Sequence, residues 1–241
     1  MPLVEYFFKV ASIPLVIFLA VGAVWYVISN KKYKKTTYYQ VTKKPFYYTF
    51  LNVGIKGEYY TYEDLKHFED LGAKLLFNAY IPKQDGGTTE IDILMISTKG
   101  IFVFESKNYS GWIYRSESQE KWCQTIRSDK GKIYKNFFFN PIWQNKAHIK
   151  HLNLLLGGDL PLYSIIVFSN RCTLKKVEIK DQSIKVINRE NVITTVLDTY
   201  NSITCDPISP DKVQALYDQL YPYTQVDIET KRKHIADITK T

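Results

Sequence analysis

"EIDILMISTKGIFVFESKN", residues 90–108, decides the fold. Two apolar runs rich in Ile, Phe and Val flank the turn-forming "STKG", which reads as a β-hairpin over residues 91–107. The run "GIFVFESK" is apolar on both faces at its centre, the pattern of an internal strand. Lys99 lies in the turn, and the other charges stand at the margins: Glu90 and Asp92 at one end, Glu105 and Lys107 at the other. Charges beside such apolar strands are costly unless paired, solvated or bound to a metal.

Glu105 and Lys107 are two apart and project from one face. Whether Asp92 joins them depends on the turn. A two-residue loop at Thr98-Lys99 places Asp92 opposite Glu105. A three-residue loop with Gly100 in the left-handed position is equally natural, and it sends Asp92 to the other face unless a bulge restores the register. If the carboxylates converge, two like charges ~4 Å apart repel by about 4 kcal/mol at an effective dielectric of ~20. A hard divalent cation with oxygen ligands relieves that repulsion. An Asp, a Glu and a Lys around Mg²⁺ suit phosphodiester hydrolysis, the lysine orienting or helping to deprotonate the attacking water. A solvated strand edge is the bland reading of the same residues.

The chain has 241 residues, 15% of them aromatic, which is enough for a full core and argues against disorder. Cys123, Cys172 and Cys205 form no CxxC and no metal-ligand spacing with the histidines, so neither a disulfide scaffold nor a zinc site is expected. The net charge of +8 suggests a nucleic-acid binder until its location is read. Six of those charges are lysines in "KKYKKTTYYQVTKK", residues 31–44, leaving about +2 for everything after Lys44.

Between Lys9 and Lys31 lie 21 uncharged residues. As a helix at ~1.5 Å per residue they reach roughly 32 Å, enough to cross a ~30 Å hydrocarbon core. Trp25 and Tyr26 stand near the far end, as interfacial aromatics do. A cleaved signal peptide is the competing reading, with Val21-Gly22-Ala23 as its cleavage site. It is disfavoured because the apolar run continues past Ala23 and the lysines follow the run. Those lysines mark the following body as cytoplasmic and lean on anionic headgroups. The expected location is the cell membrane, single-pass, with the C-terminal domain in the cytoplasm.

The body alternates helical and strand patterns. Residues 54–72 read as a helix stopped by Gly72, residues 73–81 as a strand, and 111–114 and 121–126 as short strands. Asn140 caps and Pro141 opens a helix that ends at Gly157. "LYSIIVFSN" and "SIKVINREN" are strands, followed by helices at about 190–200 and 209–221. The arrangement is α/β.

"KGEYY", "TTEIDILMIS", "GIFVFESKNYSGWI", Trp122 and "NPIWQNKAHIKHL" together resemble the nuclease-related domain family, NERD, of the PD-(D/E)xK nuclease superfamily. The resemblance runs from about Gly54 to about Leu156. It implies a restriction-endonuclease-like core of a mixed β-sheet flanked by helices, here preceded by one N-terminal transmembrane helix. It implies that Asp92, Glu105 and the Ser106 carbonyl bind Mg²⁺ or Mn²⁺, that Lys107 is catalytic, and that Glu58 and Gln144 assist. Ser106 stands where threonine is expected, but it contributes backbone. Bland readings remain beside these: Glu58 near a helix start favours the helix dipole, and Gln144, His148 and His151 make one polar helix stripe, with the two histidines as surface or packing residues. Asn108, Tyr109 and Trp112 either contact nucleic acid or pack between strands.

The resulting division is 1–30 anchor, 31–50 basic juxtamembrane linker, 51–222 nuclease-related domain and 223–241 polar tail. The expected function is phosphodiester hydrolysis at the membrane, on DNA rather than RNA. The alternatives are a non-catalytic nucleic-acid-binding or membrane-assembly protein that keeps the fold, and a secreted hydrolase, which the lysines after the span disfavour.

Overall fold

The computed structural model describes residues 2–204 and 207–239; Cys205 lies outside them, while Cys123 and Cys172 are buried free thiols. Helix α1 (Pro2–Tyr33) contains a 21-residue stretch, Ile13–Tyr33, of mean hydropathy 2.0. Its apolar side chains from Leu15 to Trp25 are exposed, so by length and composition this helix can cross a membrane.

Two short helices follow, α2 (Thr37–Thr42) and α3 (Phe46–Leu51), and both pack on the body. The Thr36 hydroxyl caps α2 by accepting from the Tyr39 amide, and Lys43 ends it at φ 55°. Tyr33, the last residue of α1, is 2% exposed and Tyr38 is fully buried. Their rings meet Phe46, Tyr59 and Phe77 at centroid separations of 4.9–5.6 Å. Each large side chain buried in this way contributes about 1.5–3 kcal/mol. Tyr33, Tyr38, Val41 and Thr49 thus join this segment to the core, while Lys31, Lys32, Lys34 and Lys35 stay exposed.

The expected helix 54–72 is α4 (Val53–Leu65), capped by Asn52, plus a 3-10 turn (Lys66–Leu71) that ends at Gly72. Then come β1 (Lys74–Pro82), β2 (Thr88–Ser97) and β3 (Gly100–Lys107). The chain leaves this sheet for β4 (Gly111–Ser116), β5 (Lys121–Arg127) and β6 (Ile133–Phe139). It returns through α5 (Pro141–Leu156) to β7 (Leu162–Phe168), visits β8 (Cys172–Glu178) and returns to β9 (Ile184–Asn188). Helices α6 (Val192–Ser202), α7 (Pro210–Leu220) and α8 (Ile228–Thr239) complete it.

Two mixed sheets result, β1-β2-β3-β7-β9 and β6-β5-β4-β8. In the first, β3 is antiparallel to β2 and parallel to β7, and its apolar residues from Ile101 to Phe104 are fully buried. Covering both faces explains why the strand is continuously apolar. The fold is therefore α/β, a mixed sheet flanked by helices behind one apolar N-terminal helix, as the sequence anticipates.

The hairpin register is that of the two-residue turn. Ser97 pairs with Gly100, Ile96 with Ile101, and the ladder runs to Ile93 opposite Phe104, so its continuation sets Asp92 beside Glu105. Gly100 has φ 126°, and a Cβ there would lie 2.6 Å from the Pro161 carbonyl oxygen at the entry to β7. Glycine is required here by the backbone and by the approach of the neighbouring strand, not by a three-residue loop.

Candidate active site

The end of β3 presents alternate residues to two helices. Ser106 faces α4, its hydroxyl 3.5 Å from that of Thr61. Glu105 and Lys107 face α5, which Asn140 starts by accepting from the Ile142 amide. Asn145 anchors α5 to the sheet by donating to the Val103 carbonyl (3.0 Å) and the Ser164 hydroxyl (2.9 Å). Gln144 and His148, four apart on this helix, both reach the strand end.

Glu105 is 1% exposed, and both of its oxygens are engaged. Oε1 meets the Lys107 ammonium at 2.5 Å, and Oε2 lies 3.1 Å from His148 Nε2. Lys107 also donates to Gln144 Oε1 at 3.0 Å, and His148 Nδ1 lies 2.6 Å from the Thr89 hydroxyl. Burial pushes the Glu105 carboxyl up, but Lys107 and His148 outweigh it and hold the group below the usual carboxylate range. Burial pulls Lys107 down, and the charges of Glu105 and Asp92 reverse this, so the lysine is held as an ammonium.

Asp92 accepts from the Ser106 amide at 2.8 Å. Burial first, then the charges of Glu105 and Glu58, raise its carboxyl well above the usual value, against the opposing pull of Lys107 and the Ser106 amide. Like charge is thus concentrated at this point. Glu58, on the first turns of α4, meets a second group: Oε2 accepts from Asn78 Nδ2 at 3.0 Å and from Tyr38 at 3.3 Å, and pairs with Lys44 at 3.4 Å. Lys44 also donates to Asn78 Oδ1 at 2.7 Å. Asn78 interrupts β1 at φ 51°, between the pairs Phe77–Ile93 and Ala79–Ile91, and so faces Asp92 across the strands. A left-handed asparagine inside a strand is uncommon, and such outliers gather at functional sites.

All five side chains expected from the sequence lie at one end of the hairpin. Glu105, Lys107 and Gln144 are joined directly, Asp92 is joined through the Ser106 amide, and Glu58 acts on Asp92 through its charge. His148, expected as a surface or packing residue, is buried and is also the second partner of Glu105. Its signal was the helical spacing from Gln144. Tyr38, Lys44 and Asn78 carried no such signal, since the first two lie in a stretch dominated by lysine and tyrosine. His151, by contrast, makes no contact with Glu105, and its ring is lowered by burial and by the Lys150 and Lys83 charges. Tyr109 packs on Phe138 at 4.5 Å, within the second core cluster, and Trp112 is exposed under Lys175.

Among the described residues, no three His, Cys, Asp or Glu side chains by themselves make a metal cage. The donor chemistry nonetheless suits a hard divalent ion. Mg²⁺ uses one or two carboxylates and retains several waters. Here three carboxylates, Glu58, Asp92 and Glu105, face two ammonium groups, Lys44 and Lys107, and the surplus negative charge is felt at Asp92.

Residues 53–169 match the model of the nuclease-related domain family, NERD. An uncharacterized protein of Bacillus anthracis is 31% identical over 182 residues, which is 76% of this chain and 82% of that protein. No solved structure matches the chain at a significant level. Tyr38 and Lys44 precede the matched segment, while the rest of the cluster falls inside it.

Proposed function

Since the chain belongs to the NERD family, we propose that it is a membrane-anchored, cytoplasm-facing nuclease of the PD-(D/E)xK type, restriction-endonuclease-like in its core, which hydrolyses phosphodiester bonds in DNA. The observation that carries this reading is the buried pairing of Glu105 with Lys107 beside Asp92, at a strand end with one helix on each face. Asp92, Glu105 and the Ser106 carbonyl would hold Mg²⁺ or Mn²⁺. The metal would supply charge stabilisation at the phosphate and a more acidic bound water.

The chain's own groups divide the remaining work. Lys107, held as an ammonium, donates to the attacking water or to a phosphate oxygen, and Gln144 fixes its direction. His148 holds one oxygen of Glu105 and helps to keep that carboxylate ionised. Glu58, set by Asn78, Tyr38 and Lys44, places a further carboxylate where it acts on Asp92. Lys31 and Lys32 in the last turn of the apolar helix, with Lys34 and Lys35 just after it, support an inward-facing body by the positive-inside bias.

A second reading, a non-catalytic nucleic-acid-binding or membrane-assembly protein, is favoured by one observation: both oxygens of Glu105 are already occupied. The full chain in neutral detergent, incubated with single- and double-stranded DNA and RNA in Mg²⁺, Mn²⁺ or EDTA, separates the two. Metal-dependent cleavage supports the nuclease. Binding without cleavage of any form supports the second reading.

A further inference from the structure

Next to the site, a groove of about 310 Å³ opens between the start of α4, the β7–β8 turn and Arg189. Asn108, the residue after Lys107, forms part of its wall, so the groove is continuous with the strand end that carries the site. Lys56 from α4, Arg171 from the β7–β8 turn and Arg189 after β9 line it, together with Phe50 and Tyr60. No carboxylate is among the lining residues. We propose that this groove binds the sugar-phosphate backbone of a nucleic-acid strand, holding phosphates adjacent to the one presented to Lys107; the proposal rests on the nuclease reading above.

Both guanidinium groups are set before any ligand arrives. Arg189 lies over the Tyr60 ring at 4.8 Å, and its Nε is 3.2 Å from the Asp64 carboxylate. Arg171 donates through one Nη2 to the carbonyl and the side-chain oxygen of Asn108, each at 2.9 Å, and its Nε meets the Ser169 hydroxyl at 3.4 Å. Asn108 in turn donates to the Val53 carbonyl, which ties the wall to α4. Gly57 allows that closeness, since a Cβ there would lie 2.6 Å from the Asn108 Cβ. Fixed guanidinium forks match phosphate oxygens with little further loss of side-chain freedom. Lys56, 5.7 Å from the Tyr60 ring, supplies a more mobile third charge.

This concentration is hidden in the chain's charge, which is nearly balanced after Lys44. A local patch on a balanced body predicts modest affinity and a shallow salt dependence, not the steep dependence of a wholly basic surface. The three cations favour contacts with phosphates, which carry no sequence information directly.

The test uses the full chain in neutral detergent with EDTA, so that binding is read without cleavage. Affinity for a fluorescein-labelled DNA oligonucleotide is measured by anisotropy across a range of salt, for wild type, Lys56→Gln, Arg171→Gln, the double variant, and Lys121→Gln on β5 as a remote control. Each groove variant should weaken binding several-fold at low salt and make the slope of log K against log [salt] shallower by about 0.7–0.9. Lys121→Gln should match wild type. Among the described residues the Lys56 ammonium meets only the Tyr60 ring, and its backbone bond to Asn52 survives the substitution, so its variant reports on the groove even if Arg171→Gln loosens Asn108. Unchanged affinity and slope in Lys56→Gln and Arg171→Gln, or no DNA binding by wild type, overturns the proposal. So does loss of binding to phosphatidylserine vesicles with oligonucleotide binding intact, which would assign the groove to lipid headgroups. If the slopes change as stated and wild type cleaves nothing in Mg²⁺ or Mn²⁺, the groove stands and the nuclease reading falls.

Discussion

The Lys44 ammonium lies 3.4 Å from the Glu58 carboxylate and 2.7 Å from Asn78 Oδ1, so a residue from the segment behind the apolar N-terminal helix reaches the candidate active site. Lys44→Met should lower nuclease activity about tenfold or more if it positions Glu58, since a misplaced group costs rate without unfolding the protein. The loss of stability should stay near ~1 kcal/mol, because Asn78 and Tyr38 still donate to Glu58. Thermal melts alongside single-turnover rates check both halves.

The same segment sets where the body begins. Tyr33, Tyr38 and Val41 are at most 2% exposed. A chain starting at residue 45 therefore loses roughly 5–9 kcal/mol of apolar burial, comparable to the whole stability of an ordinary domain. Residues 31–241 should melt cooperatively, whereas 45–241 should be largely unfolded or aggregate; far-UV circular dichroism with temperature distinguishes them.

His148→Ala should preserve the fold and reduce activity, because Glu105 keeps Lys107 but loses its second partner. A purely structural histidine would instead show a lower melting temperature with unchanged rate per folded molecule. The balance between rate and melting temperature, measured on one preparation, tells the two apart.

Glu117 clamps the second sheet: one oxygen accepts from the Lys180 and Asp181 amides and the other from Lys146. These bonds, the Asp181 amide foremost, hold its carboxyl below the usual value. A depressed folded value means that this stabilisation is present above the unfolded carboxylate range and is lost as pH falls through the folded value. Glu117→Gln should therefore melt lower than wild type at neutral pH, with the difference shrinking in acid; melts from pH 7 to pH 3 read it.

Much of this was legible because local signals were strong. Asn140, Pro141 and Gly157 bound α5 as read, and the alternation around Asp92 and Glu105 put both carboxylates on one hairpin. Gly100 is ambiguous in sequence because a three-residue loop would also place glycine there, and the contact that requires glycine, with Pro161, is distant in sequence. Strands β6 and β8 went unread: exposed stretches such as "IYKNFFF" show no buried face, and they pair only within a second sheet. Helices α2 and α3 are hidden in a lysine-rich stretch, because the burial of Tyr38 depends on Tyr59 and Phe77 arriving from elsewhere. The groove cations were invisible for the same reason, being brought together only by the fold.

The central claim is that Asp92 and Lys107 do different jobs in one metal-dependent reaction, and single-turnover cleavage by the full chain across a Mg²⁺ and Mn²⁺ titration tests it most directly. Asp92→Asn keeps an acceptor for the Ser106 amide but removes the charge that a hard cation needs, so activity should fall and recover in part at high Mn²⁺. Lys107→Met keeps the apolar stem and should bind metal, yet lose ~10²-fold in rate or more with no rescue at any metal concentration. Equal cleavage by both variants and wild type would contradict the account.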